Sequence, residues 1–117
     1  MSVELNTMLY PVKDLEQAKA TFAALLGVEP HVDSMYYVGY EVDGHEIGLI
    51  PNGHDQGMTG AEPYFDVEDI NATLAALQVA GGVVVQEPTD VAPGLLVAKF
   101  RDPDGNLIGV KQLPASP

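Results

Sequence analysis

The stretch Phe100-Arg101-Asp102-Pro103-Asp104-Gly105-Asn106-Leu107-Ile108-Gly109-Val110 decides how this chain folds. Pro103 presets φ, Asp104-Gly105 supplies residues that tolerate positive φ, and apolar alternation enters from Leu95 and leaves through Val110. The stretch therefore reads as a hairpin that closes a sheet. Working outward, an earlier stretch has the same design: Tyr36-Tyr37-Val38-Gly39-Tyr40-Glu41-Val42 runs into Asp43-Gly44 and out through His45-Glu46-Ile47-Gly48-Leu49-Ile50. Both hairpins end on Ile-Gly-aliphatic, as one structural unit written twice would.

The segments before the hairpins repeat as well. Leu5 to Tyr10 reads as a strand stopped by Pro11. Asp14 with Gln17 three residues on makes a capping-box pattern, and Leu15, Ala18, Phe22, Leu25 and Leu26 recur at helical spacing until Gly27. Val28 to Ser34 is a connection, and Pro51 to Gly60 is a loop rich in turn-formers. The second pass begins at Tyr64: Val67-Glu68-Asp69-Ile70 repeats Val12-Lys13-Asp14-Leu15, and a helix with Ile70, Leu74 and Leu77 on one face closes at Gly81-Gly82. Val83 to Gln86 and Leu95 to Arg101 are the next strands. The order is strand, helix, three strands, twice, with module one at 1–55 and module two at 60–117.

A chain of 117 residues is a single domain by length, 1–117, so the two modules are expected to share one core. No apolar run approaches the ~20 residues of a membrane span, and no leader pattern opens the chain. Without cysteine there is no disulfide framework, thiolate metal site or cysteine nucleophile, which suits a reducing cytoplasm. Seventeen acids face five bases, and no Lys or Arg stands between Lys19 and Lys99, so the excess of 12 negative charges sits in that span. Such a field disfavours nucleic acid and anionic lipid and attracts cationic small molecules, though plain solubility is the simpler account of it.

Strand parity points to a pocket. A two-residue turn at Asp43-Gly44 sets Val42 opposite His45, Tyr40 opposite Ile47 and Val38 opposite Leu49, one apolar face for the helices. The other face carries Tyr37, Gly39, Glu41, Glu46, Gly48 and Ile50. Glycine within a strand lets something approach the backbone closely, so Gly39 opposite Gly48, with Gly109 in the second half, is expected to form a bare floor on which a guest lies. A bulge or bend is the plainer alternative.

Tyr10-Pro11-Val12-Lys13-Asp14-Leu15-Glu16 with Phe22 and Leu26-Gly27, Val67-Glu68-Asp69-Ile70 with Gly81-Gly82, and Phe100 to Asn106 together resemble the vicinal oxygen chelate superfamily of glyoxalase I, bleomycin-resistance proteins and extradiol dioxygenases. The resemblance implies an α+β fold of two βαβββ modules forming a cupped mixed sheet, completed by homodimerisation in chains of this length. In metal-using members four strand positions hold a divalent ion. Carried over residue by residue, they fall on Asn6 or Thr7, Gly48, Glu62 and Gly109. Two glycines offer no side-chain donor and one carboxylate cannot hold the ion, so no divalent metal and no other cofactor is expected.

The expected function is therefore metal-free small-molecule binding, with sequestration of a cationic or polar natural product, and a divergent lyase, isomerase or dioxygenase as the alternative. Met8, Tyr37 and Tyr64 are the expected apolar contacts, Asn6, Glu46 and Glu62 the polar ones, and Gly48 and Gly109 the floor. His31, His45 and His54 read as solvated loop histidines. His54, beside Asp55 in the glycine-rich linker, is the one placed to swing over a guest. No catalytic residue is assigned: there is no nucleophile elbow, phosphate loop or paired-histidine helix motif.

Overall fold

The computed structural model describes residues 3–114, so the outermost ends of the two expected modules, 1–2 and 115–117, lie outside the described residues. Two compact units divide the chain: one spans Asn6–Glu62, and the other takes the chain from Pro63 onward together with the residues up to Leu5. The change of module thus falls at the start of the fifth strand, a little after the expected linker.

In the first unit the order is β1 (Glu4–Pro11), α1 (Leu15–Leu26), β2 (Val32–Asp33), β3 (Val38–Val42) and β4 (His45–Ile50). The strands lie in the order β2-β3-β4-β1, with β1 parallel to β4 and the others antiparallel. Asp14 accepts a hydrogen bond from the Gln17 amide and Gly27 closes α1 in the left-handed region, the cap chemistry expected for those residues. Asp43 and Gly44 both take positive φ (51° and 81°), which matches the right-handed twist of a two-residue hairpin. The register follows: Val38 opposite Leu49, Gly39 opposite Gly48, Tyr40 opposite Ile47. Val38, Tyr40 and Leu49 are buried with Tyr10, Leu15, Phe22 and Leu26 packed against them, so the apolar face does meet the helix.

The second unit repeats the pattern with β5 (Glu62–Asp66), α2 (Ile70–Val79), β6 (Val83–Ala92), β7 (Leu95–Arg101) and β8 (Leu107–Gln112), in the order β5-β8-β7-β6. Asp69 caps α2 through the Ala72 amide. Val67, Ile70, Leu74, Ala98, Phe100 and Val110 form the buried cluster. Each unit thus carries its own buried cluster, where length alone suggested one. An amphipathic helix packed on the three-strand face of its own repeat already buries its apolar stripe.

Three boundaries differ from the sequence reading. Pro11 does not stop β1 but pairs with Ile50 at its end. The connection after α1 contains the two-residue strand β2, paired to Gly39 and Val38. β6 runs on through Pro88 to Ala92, with irregular register against β7; a proline without an amide is tolerated there because β6 is the outer strand of its array. Within the loop before β5, His54–Gln56 make one turn of 3-10 helix.

Candidate functional site

The helix-free face of β3 and β4 carries the site residues of the first unit. Gly39 and Gly48 are cross-strand partners and both are buried, yet the floor they make is not bare. A Cβ on Gly48 would stand 2.6 Å from Cε1 of Tyr37, and one on Gly39 would stand 2.8 Å from Cε2 of the same ring. The Tyr37 ring therefore spans both glycines, in the place expected for a guest. This corrects the open floor read from the sequence. The glycines are explained by the close approach of an aromatic ring from the same chain, a role that strand parity alone could not tell from ligand binding.

What holds the ring is a three-residue network. The Tyr37 hydroxyl donates to Glu46 Oε2, and His31 Nε2 lies 2.6 Å from Glu46 Oε1. An ionised carboxylate only accepts, so the imidazole is the donor at Nε2. Burial, followed by the hydrogen bond to Glu46 and its negative charge, pushes the Tyr37 phenol well above the usual tyrosine range. Glu46 keeps a quarter of its side chain exposed and His31 half. Locally, the turn Ser34–Tyr37 aims the ring: Ser34 Oγ accepts from the Tyr37 amide at 3.1 Å, and the Ser34 amide donates to the Tyr37 carbonyl at 3.0 Å. Leu9, paired with Gly48, closes the side of the seat, its Cδ2 2.6 Å from a Cβ built there.

His31, expected to be solvated in a connection, is exposed, and it also contacts Glu46. The missed signal is β2: once Val32 pairs with Gly39, the His31 amide donates to the Gly39 carbonyl at 2.8 Å and its side chain reaches the strand face.

The other expected contacts are distributed as follows. Met8 pairs with Ile47, whose side chain packs on the helix-facing cluster, so alternation turns Met8 away from the seat. Thr7, opposite Glu46, takes the seat-facing parity; it is buried, and its hydroxyl donates to Asn6 Oδ1 at 2.8 Å. The open choice between Asn6 and Thr7 thus falls to Thr7. His54 is exposed on the short 3-10 helix. In the second unit Tyr64 is buried and partners Gly109, and its ring stands where a Cβ at 109 would be. Glu62 is buried at the start of β5.

Two further concavities lie elsewhere. One of about 360 Å³ is lined by Glu4, Asp66, Val67, Glu68, Gln112 and Leu113. Two of its polar groups have structural partners: Gln112 accepts from the Ile70 amide, and Asp66 pairs with Lys111. The other, of about 330 Å³, runs beside α1 from Val12 to Phe22.

A repeated βαβββ unit in a mixed sheet defines a glyoxalase-like α+β protein. The profile of the Glyoxalase/Bleomycin resistance protein/Dioxygenase superfamily matches residues 4–110, and the chain belongs to that superfamily. It is similar to two proteins named "Probable lactoylglutathione lyase". One is from Vibrio cholerae (29% identical) and the other from Vibrio parahaemolyticus (31%), each match covering 92% of this chain and 88% of the relative. Its fold is similar to that of a glyoxalase/bleomycin resistance protein/dioxygenase superfamily member from Vibrio splendidus, with TM-score 0.72 at 17% identity, over 95% of this chain and 99% of that one.

The donors at the four family positions do not fit a divalent ion. Gly48 and Gly109 have no side chain and lie under Tyr37 and Tyr64, and Thr7 offers a hydroxyl, a weak ligand for a transition metal. Glu62 is the one carboxylate. Among the described residues no group of three or more His, Asp or Glu is placed to hold a metal.

Proposed function

We propose that this chain is a small-molecule-binding member of its superfamily that works without a divalent metal, capturing a cationic or polar guest rather than transforming it, as a homodimer. The observation that carries the metal-free reading is that glycine, which has no side-chain donor, stands at two of the four positions. The acidic balance, −12 in formal charge, supports a guest of positive charge, since it raises the local concentration of cations.

The test is a thermal-shift screen of cationic natural products and carbonyl metabolites, each with and without a chelator. Capture without metal raises Tm with some cationic member of the set and leaves that rise unchanged by chelator. Absence of any shift, or shifts abolished by chelator, overturns it. Sedimentation velocity reports the dimer.

A second reading is supported by the identity to the two Vibrio relatives: an enzyme of the same superfamily, a lyase, isomerase or dioxygenase. Stoichiometric iron, zinc, nickel or manganese in native mass spectra, with turnover of a lactoylglutathione-type thioester, would establish that reading against the first.

A further inference from the structure

We infer that Tyr37 is a resident plug in a seat shaped for a planar aromatic cation, and that such a guest binds by displacing the Tyr37 ring and taking over its acceptor, Glu46. The inference deepens the small-molecule reading by naming a guest class and a gate.

Three observations carry it. First, the floor is made of backbone: the ring of Tyr37 spans Gly39 and Gly48, and a methyl group at either position would collide with it. A flat surface without side chains accepts any planar group of that thickness, and it interlocks with none. Second, the acceptor end is already built. Glu46 takes one donor from the Tyr37 hydroxyl and one from His31, and it remains partly open to solvent. A carboxylate at the end of a flat floor matches an amidinium or guanidinium attached to a ring: Oε2, released by Tyr37, takes a charge-assisted N–H from the cation while Oε1 keeps His31. Third, the plug's backbone is held independently of its ring: Ser34 bonds the Tyr37 amide and carbonyl through short-range contacts. Rotation of the side chain empties the seat and leaves those bonds intact.

Because the plug competes with the guest, it lowers apparent affinity by the fraction of time the seat is closed. Weakening the plug must therefore strengthen binding. A tyrosine that merely walls a pocket predicts the opposite.

The experiment is isothermal titration of the full-length protein with benzamidine, with neutral benzamide as the control, on the wild type, Tyr37→Phe, Tyr37→Ala and Glu46→Gln. Tyr37→Phe keeps the ring and the packing but loses the hydroxyl bond to a charged acceptor, so benzamidine should bind about tenfold tighter than to wild type. Tyr37→Ala should bind at least as tightly as Tyr37→Phe, Glu46→Gln should lose at least tenfold, and benzamide should bind at least tenfold more weakly throughout. Tyr37→Phe folds as the wild type does if any variant here can, and it decides the matter alone should Tyr37→Ala unfold. Unchanged or weaker binding in Tyr37→Phe overturns the plug. Weaker binding together with a positive guest screen would mean that Tyr37 is a wall and that the capture reading stands. No saturable binding by any variant overturns the seat, and the guest screen then judges capture by itself.

Discussion

Tyr64 on β5 and Gly109 on β8 are register partners, and the tyrosine ring occupies the volume that a side chain at 109 would need. The same relation joins Tyr37 to Gly48 in the first unit, although there the ring comes from a turn rather than from the neighbouring strand. The two repeats thus reach one arrangement, aromatic over glycine, by different local routes. The relation makes a definite prediction. Gly109→Ala forces the buried Tyr64 ring to move and should cost about 1–3 kcal/mol, the range for overpacking a filled interior. At roughly 4–8 °C per kcal/mol for a domain of this size class, thermal melts will resolve it. In a Tyr64→Leu background the same alanine should cost less, since the colliding ring is gone. Equal cost in both backgrounds would show that the pair is not coupled.

Tyr37 predicts an alkaline signature. Its folded pKa is raised above the unfolded value of 10.0, by burial first and then by the hydrogen bond and charge of Glu46. A raised pKa means that the stabilisation is fully present below pH 10 and is lost as pH climbs from there towards the folded value. Chemical denaturation between pH 8 and 11.5 should show falling stability, and Tyr37→Phe should make that fall shallower. It should not abolish it, because burial raises the Tyr40 phenol too. Ultraviolet titration of the folded protein should find fewer tyrosines ionising near pH 10 than in a denatured sample, with Tyr37 and Tyr40 both among the missing. A variant and wild type with the same alkaline slope would remove Tyr37 from the account.

Much of this arrangement is legible in the sequence, and the reasons are local. Asp14 and Asp69 announce both helices because a carboxylate three residues ahead of an amide has few other uses before an apolar periodic run. Asp43-Gly44 fixes the hairpin register, and the register fixes which side chains share a face with Gly39 and Gly48. What covers those glycines is not legible. Parity assigns Tyr37 to the right face but not the direction its ring takes, which depends on Ser34 and on a two-residue strand too short to leave a periodic signal. His31 is hidden for the same reason. Met8 lies one residue out of the seat-facing alternation, which Thr7 and Leu9 take.

The two helix caps give a stability prediction that tests the repeat itself. Asp14→Ala removes the acceptor of the Gln17 amide at 3.1 Å, and Asp69→Ala removes that of the Ala72 amide at 3.0 Å. Each should cost about 0.5–2 kcal/mol in denaturant melts, with the double variant close to additive because the caps share no partner. A loss below the low end at either site would mean that water satisfies that helix start as well as the side chain does.

The closing hairpin is organised by Asp102, and acid should expose this. Its carboxylate accepts from the Asn106 amide (2.8 Å), the Asp104 amide (3.0 Å) and Asn106 Nδ2 (2.9 Å). These bonds, led by the Asn106 side chain and amide, hold its pKa below the ordinary value of 3.8. A lowered folded pKa means that the contribution is present above pH 3.8 and is lost as pH falls through the folded value. In carboxyl-detected NMR, Asp102 should titrate below the ordinary aspartate value of 3.8. At neutral pH, Asp102→Ala should speed amide exchange at Asn106 and Asp104 while leaving Ala98 and Val110, deep in the second buried cluster, close to wild type. As pH drops below the folded pKa, wild type and variant should converge in loop exchange once intrinsic rates are normalised. Persistent protection of Asn106 in the variant would show that Gly105, whose φ of 90° sets the turn, shapes the loop without the carboxylate.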